Sequence, residues 1–437
     1  MSLINVPANP PGPMREFDLQ TLQALEKELQ RDFDLVAANK LALNLSRGKP
    51  AADQVSLSNG LEDTINGHYT SADGIDTRNY GEIRGISEAR LLGQEIMGVP
   101  ASNILAGGNS SLFLMHTVIS LAMHKGLWGD ARNWREQGSP KLLTPVPGYD
   151  RHYALTESLG IDMINIDMTD TGPNLDQARS LIAHDPSIKG IWCVPKYSNP
   201  TGCIYSDETV KGLAELANEA AADDFVVLWD NAYAVHDLVE PAPKLASIFE
   251  LAQAAGSANH IVQFGSTSKI TFAGAGIAFI ASAEPVLKAL ENHLSFMMIG
   301  PDKVNQLRHS RFLNGRVTEH MQAHASLLKP KFAIVAKVLA EELASLDIAT
   351  WNDPAGGYFV SLNLIPGLAK NVVGMAASVG LTLTPAGAPF PYGIDPNDQN
   401  VRIAPTFATP EELLSAMQIL ALCVKLASVR KFITNKA

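Results

Sequence analysis

Between about residues 100 and 280, short apolar runs alternate with longer stretches of helical period. The runs are NILA (103–106), KLLT (141–144), GIWCV (190–194), VVLW (226–229), IVQF (261–264) and IAFI (277–280). Runs of this length, bounded by turn residues and spaced by helix-length segments, predict the buried strands of a parallel α/β sheet. Upstream the pattern differs. Residues 6–14, VPANPPGPM, are too rich in proline for a helix and predict an extended arm within residues 1–16. DLQTLQALEKELQRDFDLVAAN, from Asp18 to Asn39, then takes up helical periodicity. After residue 325 the order is a long helix (ASLLKPKFAIVAKVLAEELASL), a strand (GYFVSL), a helix, a strand (NVRIA) and a last helix. Thr409, Pro410 and Glu412 announce that last helix as its N-cap, a proline at the first position and a capping-box acid. The expectation is a large α/β domain over 51–325. A smaller one would be built from 326–437 with the segment 17–50.

Composition narrows the partners. The 437 residues are 46% hydrophobic and 18% charged, as in ordinary globular proteins. A net charge of −11 argues against nucleic acid or an anionic membrane surface, both of which call for a basic footprint. No apolar run of the roughly 20 residues needed to cross a bilayer stands out. The first twenty residues lack a basic region followed by an apolar core, so no secretory leader is expected. Cys193, Cys203 and Cys423 form no CxxC and read as reduced thiols of a cytoplasmic protein. Of the histidines only His320 and His324 stand at i,i+4, without the glutamate of HExxH. They read as an ordinary polar helix face, and no metal site is expected.

In an open α/β sheet, ligands bind beyond the carboxyl ends of the strands, so the residues after each run carry the candidate chemistry. After NILA come Gly107, Gly108, Asn109 and Ser110 ahead of an apolar helix, which suits a phosphate at a helix N-terminus. After KLLT comes PVPGYDRHY, offering Tyr149 as a flat face with His152 near it. After GIWCV comes PKYSNPTG, with Asn199–Pro200 in a tight turn. DNAY follows VVLW and places Asp230 directly off an apolar strand, three residues before Tyr233. The last stretch, GSTSKITFAGAGIAF (265–279), holds one ionisable side chain, Lys269, among small and apolar neighbours. A lysine there is partly desolvated, which lowers its pKa and prepares a nucleophile. An anion cradle, a stacking aromatic, a carboxylate, phenols and a lysine on one sheet edge are the parts pyridoxal 5′-phosphate uses. Asn199, Asp230 and Lys269 are 31 and 39 residues apart, about one βα unit each.

YSNPTG, DNAY and STSK, in that order, resemble the fold-type I, class I pyridoxal-phosphate-dependent aminotransferases, and the likeness runs from about residue 41 to 425. The details of GSTSKITFAGAGIAF, PKYSNPTG and NVRIAPT are similar to a divergent bacterial subgroup (Ic) of aspartate aminotransferases. The resemblance implies a large domain with a mostly parallel seven-stranded sheet and a smaller α/β C-terminal domain. It implies a ping-pong exchange between L-aspartate and 2-oxoglutarate in a homodimer with shared active sites. Lys269 would bind the cofactor as a Schiff base and act as acid and base, and Asp230 would pair with the pyridine nitrogen. Tyr233 and Asn199 would hold the 3′-oxygen, and Tyr149 would stack on the ring. Gly108, Asn109, Ser110, Ser266 and Ser268 would cradle the phosphate, joined by Tyr80 of the other subunit. Arg402 would grip the substrate α-carboxylate beside Gly48. The side-chain carboxylate has Arg47, Arg78, Arg308 and Arg311 as candidates, with Arg47 favoured because it adjoins Gly48. One departure stands out. The family's arginine about eight residues after the lysine is missing from AGAGIAF, and extra hydroxyls (Ser110, Ser266, Ser268) with backbone amides are expected to replace it. An aromatic or broad-specificity aminotransferase, or a β-lyase, would share these residues. A cofactor-sensing regulatory domain would call for an attached basic DNA-binding module, which this acidic chain does not show.

Overall fold

The structure is a computed structural model that describes residues 9–128 and 132–436. Of the expected arm, residues 1–8 therefore lie outside the described residues, and Met14–Glu16 forms a short 3-10 turn rather than extended chain. Strands are numbered along the chain: β1 Leu43–Asn44, β2 Ile104–Ala106, β3 Lys141–Val146, β4 Asp162–Thr169, β5 Gly172–Pro173, β6 Ile188–Cys193, β7 Val226–Asp230, β8 Ile261–Ser266, β9 Ala278–Ala281, β10 Ala349–Trp351, β11 Val360–Leu364, β12 Leu381–Thr382 and β13 Asn400–Ile403. The chain separates into two compact units. One comprises Ala52–Ser198 and Cys203–Ala325, and the other Met1–Ala51, Asn199–Gly202 and Ser326–Ala437.

The larger unit is built on a sheet of order β2-β9-β8-β7-β6-β3-β4-β5. All six apolar runs read from the sequence are strands in it. Two features were not legible. Strand β4 alternates exposed and buried positions, because it lies toward the sheet edge and has no continuous apolar run. Strand β9 runs antiparallel to both neighbours, whereas β3, β4, β6, β7 and β8 are mutually parallel. The cause is the short link from Ser266 to Ala278, too short for the dozen or more residues of a parallel crossover. That link carries Lys269.

Each sheet face has its own core. The helix Ser111–His124 covers Leu105, Trp192, Leu228, Val262 and Phe264 on one side. Helices Asp207–Glu215 and Ile248–Ala255 cover Ile191, Val227, Trp229 and Ile261 on the other. Because side chains alternate along a strand, Asp230 at the end of β7 shares the Leu228 face, opposite Trp229.

In the smaller unit, β10-β11-β13 form an antiparallel sheet and β1 pairs with β12 in parallel. The helix Leu19–Ala38 starts at Asp18, whose side chain accepts from the Thr21 N–H. The capping box at the last helix, Pro410–Lys436, is closed. Thr409 N–H donates to Glu412 at 3.0 Å, and Glu412 N–H donates to Thr409 Oγ1 at 3.2 Å. This helix also corrects an expectation, since one 18-residue window has a mean hydropathy of 1.6, long and apolar enough to cross a membrane. Burial accounts for it. That window is 78% buried inside the protein, and the helix packs against Leu19–Ala38.

Candidate active site

Asp230 is buried at the end of β7, and its neighbour His152 sits on the first turn of the helix Asp150–Ser158. His152 Nε2–H donates to Asp230 Oδ2 at 3.0 Å. The imidazole stacks on Trp192, with centroids 4.0 Å apart and planes 8° from parallel. Trp192 Nε1–H donates to Thr156 Oγ1 at 3.0 Å, and that hydroxyl donates to the His152 carbonyl at 2.7 Å. The histidine is thus held from the face and from the backbone. Tyr149 meets it edge-on at 4.9 Å. The other carboxylate oxygen, Asp230 Oδ1, is buried with no hydrogen-bond partner. A buried acceptor left open is costly, so the carboxylate is suited to a proton brought in by a ligand. A protonated pyridine nitrogen fits that requirement.

Lys269 lies in the turn after β8. It is half-buried, and Nζ stands 4.9 Å from the centroid of the buried Tyr233 ring. Desolvation holds the amine below the ordinary lysine range, and the nearby Asp230 charge opposes that shift. The small residues flanking the lysine have a packing reason. Thr267 N–H donates to the Ile277 carbonyl and Ile277 N–H to Thr267 Oγ1, both at 2.8 Å, folding the link back on itself. Gly276 lies at the crossing, where an added Cβ would stand 2.9 Å from Thr267 Oγ1 and 3.0 Å from the Ser268 nitrogen. The tight surroundings expected from the sequence end there, since Ala273 and Gly274 are exposed.

The residues assigned to the phosphate come together. Ser268 Oγ donates to the Asn109 carbonyl at 3.1 Å, and Ser268 N–H to Ser266 Oγ at 3.4 Å. Asn109 Nδ2 is committed elsewhere, to the Gly274 carbonyl at 2.8 Å, so it ties the two loops together. Ser110 caps the helix Ser111–His124 by accepting from Phe113 N–H at 3.3 Å. Gly108 is exposed, with nothing within 4 Å of an added Cβ. Hydroxyls and a helix N-terminus beside open space fit a phosphate. Tyr80 is 77% exposed.

Asn199 and Arg402 meet in the smaller unit. Arg402 Nη1–H donates to Asn199 Oδ1 at 3.3 Å, while Asn199 Nδ2 is a buried donor with no partner. The Arg402 guanidinium lies over the Phe359 ring at 5.0 Å, and its Nε–H reaches Thr384 Oγ1 at 3.4 Å. Gly48 makes room for that ring, because a Cβ there would stand 2.4 Å from Phe359 Cζ. Phe359 and Thr384 were not read from the sequence, nor were Trp192 and Thr156. Trp192 lies on β6, Thr156 on the helix Asp150–Ser158, and Phe359 and Thr384 in the loops beside β11 and β12, so their roles come from how these segments pack. His152 was noticed only as a neighbour of Tyr149. Among the candidate arginines, Arg78 is bonded to Asp76 at 2.9 and 2.8 Å, and Arg311 to the His68 and Thr70 carbonyls. Arg308 donates to Asn305 Oδ1 at 2.7 Å, and Arg47 is exposed.

Residues 18–436 match the family model described as aspartate amino-transferase. The chain belongs to the class I pyridoxal-phosphate-dependent aminotransferases. It is 45% identical to a putative aminotransferase of Mycolicibacterium smegmatis over 93% of this chain and 96% of that one. It is 40% identical to an aspartate aminotransferase of Corynebacterium glutamicum, covering 96% of this chain and 97% of the other. A crystal structure of an aspartate transaminase from Corynebacterium glutamicum superposes with a TM-score of 0.93 at 40% identity, covering 96% and 99% of the two chains. The cofactor of this aminotransferase is pyridoxal 5′-phosphate, and the open Asp230 Oδ1 and the loops around Gly108 fit its ring nitrogen and its phosphate.

Proposed function

We propose that this aminotransferase exchanges the amino group between L-aspartate and 2-oxoglutarate in two half-reactions, as a cytoplasmic homodimer. The substrate assignment rests on the Corynebacterium glutamicum relative, which bears the name aspartate aminotransferase at 40% identity over nearly the whole chain. The residue roles rest mainly on one observation, the buried Asp230 with one oxygen held by His152 and the other open.

Bound pyridoxal phosphate supplies the electron sink that makes the substrate Cα acidic. Asp230 keeps a proton at the ring nitrogen, and His152 holds that carboxylate in place. Lys269 takes the proton from Cα at Nζ and returns it. An amine held below the ordinary lysine range serves such a base, because more of it is unprotonated near neutral pH. Tyr233 and Asn199 hold the 3′-oxygen, Asn199 through its open Nδ2. Arg402, already oriented by Phe359 and Thr384, takes the α-carboxylate. Arg47 takes the side-chain carboxylate, and Tyr80 serves the other subunit's phosphate site.

The first test is the absorbance spectrum of the holoenzyme before and after L-aspartate is added with no oxo acid. Loss of the visible band with release of oxaloacetate supports both the chemistry and the donor. A band that L-aspartate leaves unchanged overturns the aspartate assignment, and a panel of aromatic and aliphatic donors then finds the substrate. Replacing Arg47 with alanine is expected to raise KM for L-aspartate about tenfold or more while sparing L-alanine. Equal effects on both would remove Arg47 from the assignment.

A further inference from the structure

The turn that carries Lys269 is ringed by four buried histidines from three segments: His236 after β7, His309 on the helix Lys303–Leu313, and His320 and His324 on the helix Val317–Leu343. The last two correct the reading of that i,i+4 pair as a polar helix face. They are only 8% and 1% exposed, and both point inward at a single atom. His320 Nε2 and His324 Nε2 each lie 2.8 Å from the carbonyl oxygen of Ile270, the residue after the lysine. His236 Nε2 approaches the preceding carbonyl, that of Lys269 itself, at 3.4 Å. His309 reaches the same turn through Thr271 Oγ1, at 2.9 Å.

The hydrogen-bond network assigns the tautomer of His324, while His320 Nε2 also lies 3.3 Å from Ser58 Oγ. Gln54 Nε2–H reaches His324 Nδ1 at 3.4 Å, so that nitrogen accepts and Nε2 carries the proton. A carbonyl oxygen has two lone pairs and can accept from both rings. Residues four apart on a helix share a face, which lets one helix aim two donors at one acceptor. No backbone N–H among the described residues donates to the Ile270 carbonyl, so the two rings hold the carbonyl side of that peptide while its N–H, on Thr271, donates to the Thr267 carbonyl at 2.8 Å.

We propose that His320 and His324 are positioning residues for Lys269, acting through the Ile270 carbonyl. The proposal rests on the reading of Lys269 as the cofactor-binding nucleophile. Imidazole suits the task because it offers a firm N–H without charge. A lysine or arginine donor in the same place would set a second cation beside the Lys269 amine and the His236 ring. The two Nε2 atoms are 3.3 Å apart, which disfavours charging both rings. Burial accordingly holds His324 down to about 4, helped by its neighbour His320, and holds His320 below the ordinary imidazole value. Fixing the second peptide after Lys269 limits the rotation of the turn and so the direction in which the lysine side chain leaves it. A nucleophile displaced by about 1 Å can lose of the order of 10²-fold in rate.

The test compares variants that keep or lose the Nε2–H donor. Glutamine places an amide nitrogen near the Nε2 position, asparagine stops short of it, and leucine has no donor. The readout is the rate at which apoprotein takes up pyridoxal phosphate, followed by growth of the visible band of the Lys269 linkage, with urea unfolding measured alongside. His320→Leu, His324→Leu and the matching asparagine variants are expected to slow uptake about tenfold, and the glutamine variants to recover most of the rate. Folded asparagine variants that match the wild type in uptake rate and band position would overturn the proposal and leave the pair a purely structural role. Glutamine variants as slow as leucine would overturn it too. Should the leucine variants fail to fold, the asparagine–glutamine contrast decides. Lys269→Ala separates the layers: a band that survives it sinks the Lys269 reading itself. A band lost there but indifferent to the histidines sinks only this inference.

Discussion

Asp230 Oδ1 sits out of water with nothing to bond, while Oδ2 a short way off is held by His152. That asymmetry argues for a ligand donor rather than a structural ion pair, and it makes Asp230→Asn informative. An amide cannot hold the ring nitrogen's proton, so kcat is expected to fall by about 10²–10³-fold while the visible band of the bound cofactor persists. Steady-state kinetics and the spectrum check both halves. Gly48→Ala acts by a steric route, since its Cβ meets the Phe359 ring that underlies Arg402. KM is expected to rise about tenfold, roughly 1.4 kcal/mol, for every amino donor, because the α-carboxylate grip proposed for Arg402 is common to all. At this scale Asp230 and Lys269 were legible because an ionisable residue at the end of an apolar run is conspicuous. Trp192, Phe359 and Thr384 were not, because nothing in a tryptophan, phenylalanine or threonine on a strand or loop tells which partner the neighbouring segment will bring. The i,i+4 spacing of His320 and His324 was visible, but the carbonyl they share is about 50 residues away in the chain.

Elements were read best where their signals are local. The capping box ahead of Pro410–Lys436 is such a signal, and both of its reciprocal bonds are present. Thr409→Ala is expected to cost about 1 kcal/mol in urea unfolding, and Thr409→Ser only a few tenths of that. The apolar character of the same helix was harder to weigh. A helix packed on most of its sides and one that crosses a bilayer share a composition, and burial alone separates them. Strand direction was equally hidden, because IAFI reads the same whichever way it runs. The eleven residues between β8 and β9 forced the reversal, and they leave room for a turn but not for a crossover helix.

Across the whole molecule, acid should act through the buried imidazoles. Burial lowers His236 to about 3, aided by the neighbouring Lys269 charge, and lowers His309 and His324 to about 4. These groups are neutral when folded, and the unfolded chain binds the extra protons below the ordinary value near 6.5. Their contribution is therefore full above pH 6.5 and is lost as pH falls from there toward 4. Thermal unfolding across that range is expected to show the decline, and His309→Gln should flatten it. A dimer with shared sites predicts complementation: mixing Lys269→Ala with Tyr80→Ala chains, unfolded and refolded together, should recover activity well above either alone. Recovery absent in a verified mixed dimer would place Tyr80 in its own chain's site or in none. The sequence by itself determined the α/β class, six strands of the sheet, the cap of the last helix and the order of the cofactor motifs, because those depend on local periodicity and on neighbours a few residues apart. Tertiary structure decided the reversal of β9, the open oxygen of Asp230, the Gly48–Phe359–Arg402 stack and the histidine ring around Lys269, because each depends on which distant segments pack together.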